Sequence, residues 1–249
     1  MNIIEIKNIT HRFANGRSGL NNISMDIARG QFVVLAGANG SGKTTLLRHF
    51  NGLMTPQQGV IIVDGVNVAD DPVRARRTIG MVFQDTDTQI VGETVYDEVA
   101  FGPENLCWPR SVVNKAVQTA LDQMGLVHLS DQSPHLLSGG ERRRLTIAGI
   151  LAMNPSVLVF DEPFANLDYP GVRDVLRRIV ALHQEGHTIV IAAHDLEKVI
   201  AHAQRLIILS KGCVAADGAP NELLPSVEDF DIRRPIELSF GHAVQSWLN

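Results

Sequence analysis

Gly37-Ala38-Asn39-Gly40-Ser41-Gly42-Lys43-Thr44 stands between an apolar run, Phe32 to Ala36, and a segment of helical character, Thr45 to Phe50. A strand that feeds a glycine-rich turn and then opens a helix aims several backbone N–H groups at one point. With the helix N-terminus these groups form an anion cradle. The residues match GxxxxGK[ST]: Lys43 adds a mobile positive charge, and Thr44 supplies a hydroxyl of the kind that ligates Mg²⁺ beside a phosphate. A glycine turn with an incidental lysine would not require that hydroxyl. The strand-loop-helix setting therefore points to a nucleotide phosphate.

The 249 residues are 45% hydrophobic and 20% charged, enough to bury a full core in one domain, with or without a sizeable insertion. A formal charge of −5 and a pI near 6.0 supply no general basic surface for a phosphodiester backbone. Nucleic acid is not an expected partner. No apolar run approaches the ~20 residues that span a bilayer, and Met1-Asn2-Ile3-Ile4-Glu5-Ile6-Lys7 mixes an acid into alternating apolar positions. The expectation is a chain neither secreted nor self-inserted. Cys107 and Cys213, far apart and without a metal-ligand cluster, are expected as reduced cytosolic thiols.

Ile4, Ile6 and Ile9 alternate with polar residues, and Ile23, Met25 and Ile27 repeat the period of two, which predicts two half-buried antiparallel strands. Phe13 precedes the turn-rich Asn15 to Gly19 between them. It can stack on a nucleotide base or pack in the small sheet. Val60 to Val63 and Ile79 to Gln84 read as further strands, the second ending on a polar residue. From Gly92 to about Met153 the pattern is helical, with Val112, Val113, Ala116, Val117, Ala120, Leu121 and Met124 as one packing stripe.

Val157-Leu158-Val159-Phe160 is a continuous apolar run, the mark of a strand buried on both faces of a parallel sheet, and it ends in Asp161 and Glu162. Buried acids are costly unless compensated, and the carboxyl ends of parallel strands are where such sheets bind ligands. A magnesium-bound phosphate is the compensation that fits. A helix from about Val172 to His183, a strand Thr188 to Ala192 leading to His194, a helix from Asp195, and strands near Leu206–Leu209 and Cys213–Ala216 complete an α/β alternation. His183 and His187 have the spacing of a helical metal pair, but Gly186 interrupts the helix between them.

Leu137-Ser138-Gly139-Gly140-Glu141, followed at the usual interval by Asp161-Glu162, resembles the signature of the ATP-binding cassette (ABC) ATPases. With the phosphate loop, Gln84, Ala165-Asn166-Leu167-Asp168 and His194, the resemblance runs in order along nearly the whole chain. Phe83 to Gln89, Glu93-Thr94-Val95 and Val99 to Pro103 look like the energy-coupling-factor branch, the ATPases of bacterial vitamin and cobalt or nickel uptake. The fold so implied is a P-loop NTPase sheet core with an N-terminal antiparallel β subdomain and a helical insertion. Residues 1–91 and 154–220 would form the core with its β subdomain, 92–153 the helical signature subdomain and 221–249 a tail.

The resemblance implies ATP bound by Phe13, Asn39, Gly40, Ser41, Gly42, Lys43, Thr44 and Thr45, with Mg²⁺ on Thr44, Gln84 and Asp161. Glu162 corresponds to the general base, Gln84 to the sensor of metal and water, and His194 to the residue that holds water and γ-phosphate in line. Ser138, Gly139 and Gly140 would complete the site of a second ATPase subunit, with Asp168 at the dimer junction. Phe13 stands where tyrosine is common, Glu141 where glutamine is common and Thr86 where proline is common. Stacking needs only a ring, so Phe13 can serve.

Arg142, Arg143 and Arg144 read as a solvated or interface face. Asp85, Asp87, Glu93, Asp97 and Glu98 form an acidic span after the Gln84 loop, and Glu93, Asp97 and Glu98 are expected on one helical edge. That edge would meet arginine-bearing helices of an integral membrane subunit, placing the chain peripherally on the cytoplasmic face of the membrane. A non-transport ABC ATPase of DNA repair or chromosome organisation is the rival reading. It would need a long coiled coil, and no sustained heptads occur.

Overall fold

The computed structural model describes residues 1–248. The period-two segments become the long strands β1 (Asn2–Arg12) and β2 (Ser18–Ala28), antiparallel, with Ile4 opposite Ile27 and Ile6 opposite Met25. After β3 (Phe32–Ala36), strands β4 (Gln58–Val63) and β5 (Val66–Asn67) join them in an antiparallel sheet of order β2-β1-β4-β5. The second sheet adds β6 (Ile79–Val82), β7 (Val157–Asp161), β8 (Thr188–Ala193), β9 (Arg205–Ser210) and β10 (Cys213–Gly218) in the order β10-β9-β3-β8-β7-β6. All its pairings are parallel except that of β10 with β9.

The pleat divides this second sheet between two cores. Phe32, Val34 and Ala36 face one with Leu158, Phe160, Ile189 and Ile191, whereas Val33 and Leu35 face the other with Val157, Val159 and Val190. Burial on both sides is why these strands read as unbroken apolar runs. The first core lies under α3 (Val95–Asn105), α4 (Arg110–Met124), α5 (Gly139–Leu151) and α6 (Tyr169–Gln184). The second lies under α1 (Lys43–Phe50), α2 (Pro72–Thr78) and the antiparallel sheet.

Four local expectations change. Helix α1 begins at Lys43 rather than Thr45, because Gly42 caps it in the left-handed region. On α4, Val112 is exposed while Val113, Val117, Ala120, Leu121 and Met124 are buried, so the stripe is narrower. No helix starts at Asp195. The chain instead turns, with Lys198 Nζ 3.1 Å from Asp195, and tightens into a 3₁₀ turn at Ile200–His202 before β9. The basic run on α5 is no solvated face: Arg143 is buried, Arg142 donates to the Leu137 carbonyl at 2.8 Å and Arg144 lies 3.6 Å from Asp174.

His183 and His187 part company as Gly186 implied, His183 meeting the Gly30 carbonyl and His187 that of Pro155. Beyond β10, the chain forms two short α-helices, Pro220–Leu223 and Ile236–Ser239, with a 3₁₀ helix, Leu224–Phe230, between them, and lays Trp247 against Tyr169 with ring centroids 5.4 Å apart. No helix among the described residues is long and apolar enough to cross a membrane.

Candidate functional site

Parallel register brings the strand ends of the second sheet together: Ala36 pairs with Ala193, Asp161 with Ala192, and Val82 with Phe160. The loop after β3, the two acids ending β7, His194 after β8 and Gln84 after β6 therefore share one rim. They line a cleft of about 360 Å³ together with Phe13, Asn39, Gly40, Gly42, Thr44 and Thr45. Ser41, from the same loop, is buried beneath it.

The glycine loop is shaped by sterics. Gly42 has φ of 110°, and a Cβ there would lie 2.8 Å from the Gly19 carbonyl, so only glycine can start α1 in this way. The first N–H groups of α1 have no partner within the helix and aim into the cleft. Lys43 bends back over the loop, its Nζ donating to the Gly37 carbonyl at 2.6 Å and to that of Ala38 at 3.3 Å. Burial pushes its pKa down, opposed by Glu162 and Asp161. Phe13 stands at the cleft mouth in an edge contact with His11 at 5.1 Å. Gly19 packs so closely against it that a Cβ would come within 2.8 Å of the Phe13 ring.

Asp161 and Glu162 are adjacent but serve different neighbours. Asp161 is 3% exposed and its Oδ1 is buried with no hydrogen-bond partner. Burial raises its pKa; the nearby Thr44 hydroxyl and the charges of Lys43 and Arg48 oppose the rise, while Glu162 adds to it. Glu162 takes φ of 51°, a left-handed conformation that costs a non-glycine residue on the order of 1–3 kcal/mol, and its N–H donates to the Ala192 carbonyl at 3.0 Å. This turn swings its carboxylate toward β8, where Oε2 lies 2.9 Å from His194 Nδ1.

The Asp161 carboxylate, the Thr44 hydroxyl and the Gln84 amide form an oxygen-donor set suited to a hard divalent cation. The Asp161 Oδ1 has no hydrogen-bond donor, and coordination to such an ion would compensate its burial. The residues present therefore fit Mg²⁺ beside a phosphate.

The signature stretch lies elsewhere on the chain. Ser138 caps α5 through a reciprocal box: Glu141 accepts from the Ser138 N–H at 2.8 Å and from its hydroxyl at 2.7 Å, while the Glu141 N–H reaches back to Ser138 Oγ at 3.3 Å. Those bonds hold the Glu141 pKa below its ordinary value. Ser138, Gly139 and Gly140 line a separate groove with Asp168, which caps α6 by accepting from Gly171 N–H at 3.0 Å. They do not reach the phosphate loop of their own chain's cleft.

The acidic span is not one helical edge. Glu98 is buried, its Oε2 accepting from the N–H groups of Val91 and Gly92 at 2.8 Å each, because a buried carboxylate needs donors and the loop before α3 supplies them. Glu93 precedes α3, whose cap is Thr94, and Asp97 is held in that cap, 2.6 Å from the Thr94 hydroxyl. Asp87 is exposed but lies 3.4 Å from Arg142 Nε. Sequence reading missed Arg17 and Ser18, which line the cleft from the turn after Phe13. A basic residue in a glycine-containing turn carries no pattern that would single it out.

A family model described as ABC transporter matches residues 20–165. A putative ABC transporter ATP-binding protein of Halobacterium salinarum is 42% identical over 233 residues, 94% of this chain and 100% of that protein. The energy-coupling factor transporter ATP-binding protein EcfA of Methanocaldococcus jannaschii is 39% identical over 231 residues, covering 92% and 83%. Among solved structures, cbiO1 from Clostridium perfringens, described as part of the ABC transporter complex cbiONQ, superposes with a TM-score of 0.83 at 36% identity over 92% of each chain. The rival DNA-repair class falls away, since the helices that carry the signature are the short α3 to α5 and the relatives are transporter subunits. The chain is an ATPase and belongs to the ATP-binding subunits of ABC transporters, in the energy-coupling factor branch.

Proposed function

We propose that this ATPase energises an importer of the energy-coupling factor type, carrying a vitamin or a transition-metal ion. It would act with a second ATP-binding subunit and an integral membrane subunit, held peripherally at the cytoplasmic face of the membrane. The observation that supports this most is that Gln84 borders two spaces at once. It lines the nucleotide cleft and, like Thr44 and Asp161, also lines a neighbouring groove of about 650 Å³ together with Arg48, Leu53, Met54, Phe83 and Asp85. A helix of a membrane subunit seated there would touch the residue that touches nucleotide.

In this reading Lys43 and the loop N–H groups bind the β- and γ-phosphates, and Phe13 stacks on the base. Mg²⁺, when bound on Thr44, Gln84 and Asp161, neutralises phosphate charge. Glu162 accepts a proton from the attacking water, and His194, 2.9 Å from its carboxylate, holds water and γ-phosphate in line. Ser138, Gly139 and Gly140 close on the nucleotide of the other subunit, with Asp168 at the junction. Residues 1–91 and 154–220 are the nucleotide-binding core, 92–153 the signature subdomain and 221–249 a tail.

Of the acidic span, Asp85 lines this groove, and Asp87 and Glu93 are exposed on the chain that follows it; these acids would take bidentate arginine pairs from the membrane subunit. Combining Glu93→Lys with Asp87→Asn should leave ATP turnover of the free chain within about twofold, since exposed pairs contribute little. Transport and co-purification with the membrane subunit should be lost. Full transport at equal expression would overturn the acidic contact. Failure of the wild-type chain to retain any membrane protein from solubilised membranes would overturn the transport assignment itself.

A further inference from the structure

Arg143 is a charged side chain in an apolar place. It is 3% exposed, projects from α5 on the same stripe as Ile147 and Ile150, and has no carboxylate within 4.0 Å among the described residues. A buried guanidinium is costly unless its donors are used. Two of its nitrogens spend donors on the backbone of the segment after β6: Nη1 bonds the Phe83 carbonyl at 2.7 Å and Nη2 the Gln84 carbonyl at 2.8 Å, while Nε is buried without a partner. Burial lowers its pKa, and the charge of Asp85, on the same segment, opposes that. The planar fork meets two successive carbonyls, which one ammonium could not match in geometry.

Those two bonds cross some sixty residues of sequence (|i−j| of 60 and 59) and join two sites described separately above. Arg143 lies five residues after Ser138, the cap of the signature helix. Gln84 carries the amide that lines the nucleotide cleft. Elsewhere the Gln84 segment is held by weaker ties from its own neighbourhood: Gln89 Oε1 accepts from the Phe83 N–H at 3.1 Å, and its Nε2 donates to the Met81 carbonyl at 3.3 Å.

We propose that Arg143 is a positioning residue for ATP hydrolysis, which fixes the Gln84 segment from the signature helix so that the Gln84 amide follows any movement of α5. This rests on the reading of Gln84 as a nucleotide-site residue. Arg143 touches neither phosphate nor water. Its effect passes through the backbone of Phe83 and Gln84, and it ties engagement of Ser138 to the state of the cleft in the same chain.

The test compares Arg143→Met, Arg143→Lys, Gln84→Ala and the double variant Gln84→Ala/Arg143→Met in the full chain, under conditions where the wild type turns over ATP. Arg143→Met should lower kcat by ~10- to 10²-fold, the range for a group displaced by about an ångström, with KM for ATP within about twofold. Amide exchange should rise roughly tenfold or more in residues 83–89 while β3 and β6, held by their sheet pairings, are unchanged. Arg143→Lys keeps the charge without the fork and should fall between wild type and Arg143→Met; it serves alone if the methionine variant does not fold. In the Gln84→Ala background, the arginine substitution should change kcat by less than about twofold, since both changes remove one contribution.

Losses that add in the double variant would overturn the proposal and leave the role of Gln84 standing. A Gln84→Ala chain with wild-type turnover would overturn both. Wild-type turnover in both Arg143 variants would overturn the proposal alone.

Discussion

Asp161→Asn separates what this side chain does for nucleotide from what it does for the fold. The substitution keeps the shape and removes the charge from a carboxylate that is 3% exposed, with one buried oxygen unpartnered. A buried polar group left unsatisfied costs ~1–3 kcal/mol, more when charged. The Thr44 hydroxyl, Lys43 and Arg48 return part of that, while Glu162 adds to it. A net gain of ~1–2 kcal/mol at ~2–4 °C per kcal/mol for a chain of this size raises Tm by ~2–8 °C without nucleotide. With MgATP the order should reverse: at a hundred times Kd the wild type gains ~2.7 kcal/mol from binding, which the variant forgoes. Thermal unfolding followed by circular dichroism, with and without MgATP, measures both. A nucleotide-free variant melting at or below the wild type would refute the account of Asp161 as a strained site held ready for an ion.

Glu162→Gln should retain ATP binding and lose hydrolysis by ~10²-fold or more, the scale of a lost general base; near-normal turnover would reassign the base. Burial pushes the pKa of His49 and His202 below the ordinary histidine value, so the unfolded chain binds protons at these two positions more readily than the fold does. Stability is therefore complete above the ordinary histidine range and declines as pH falls through it. Denaturation midpoints between about pH 8 and 5 should fall less steeply for His49→Gln/His202→Gln than for wild type, and parallel curves would contradict the assignment.

What the sequence revealed follows from where the partners of each residue lie. Val157 to Phe160 was legible because a strand covered on both faces needs apolar side chains at every position, and the acids had to fall at its end. The capping box of Ser138 and Glu141 is local, three residues apart, and was open to sequence reading although only the structure identified it. Glu98 and Arg143 were not legible, since each is buried on the strength of backbone groups supplied by another segment, and backbone partners leave no mark in residue type. Arg143 did carry one hint, its place four and seven residues before Ile147 and Ile150 on a core-facing stripe. The helix expected from Asp195 does not form, although Leu196, Val199 and Ile200 have helical spacing. These side chains are buried, but the chain must reach Arg205 beside Val33 to begin β9, and a turn closed by Asp195 and Lys198 does so.

The cap on the signature helix has a bearing on reversibility. Ser138 already gives its hydroxyl and its N–H to a carboxylate, at 2.7 and 2.8 Å. An acceptor arriving there from outside exchanges one anionic partner for another, so the encounter yields only the difference between two similar bonds. A helix end left bare would hold whatever anion it met. This one can return to its own glutamate when a visiting anion loses charge or withdraws, so the helix end is built to let go as readily as to bind.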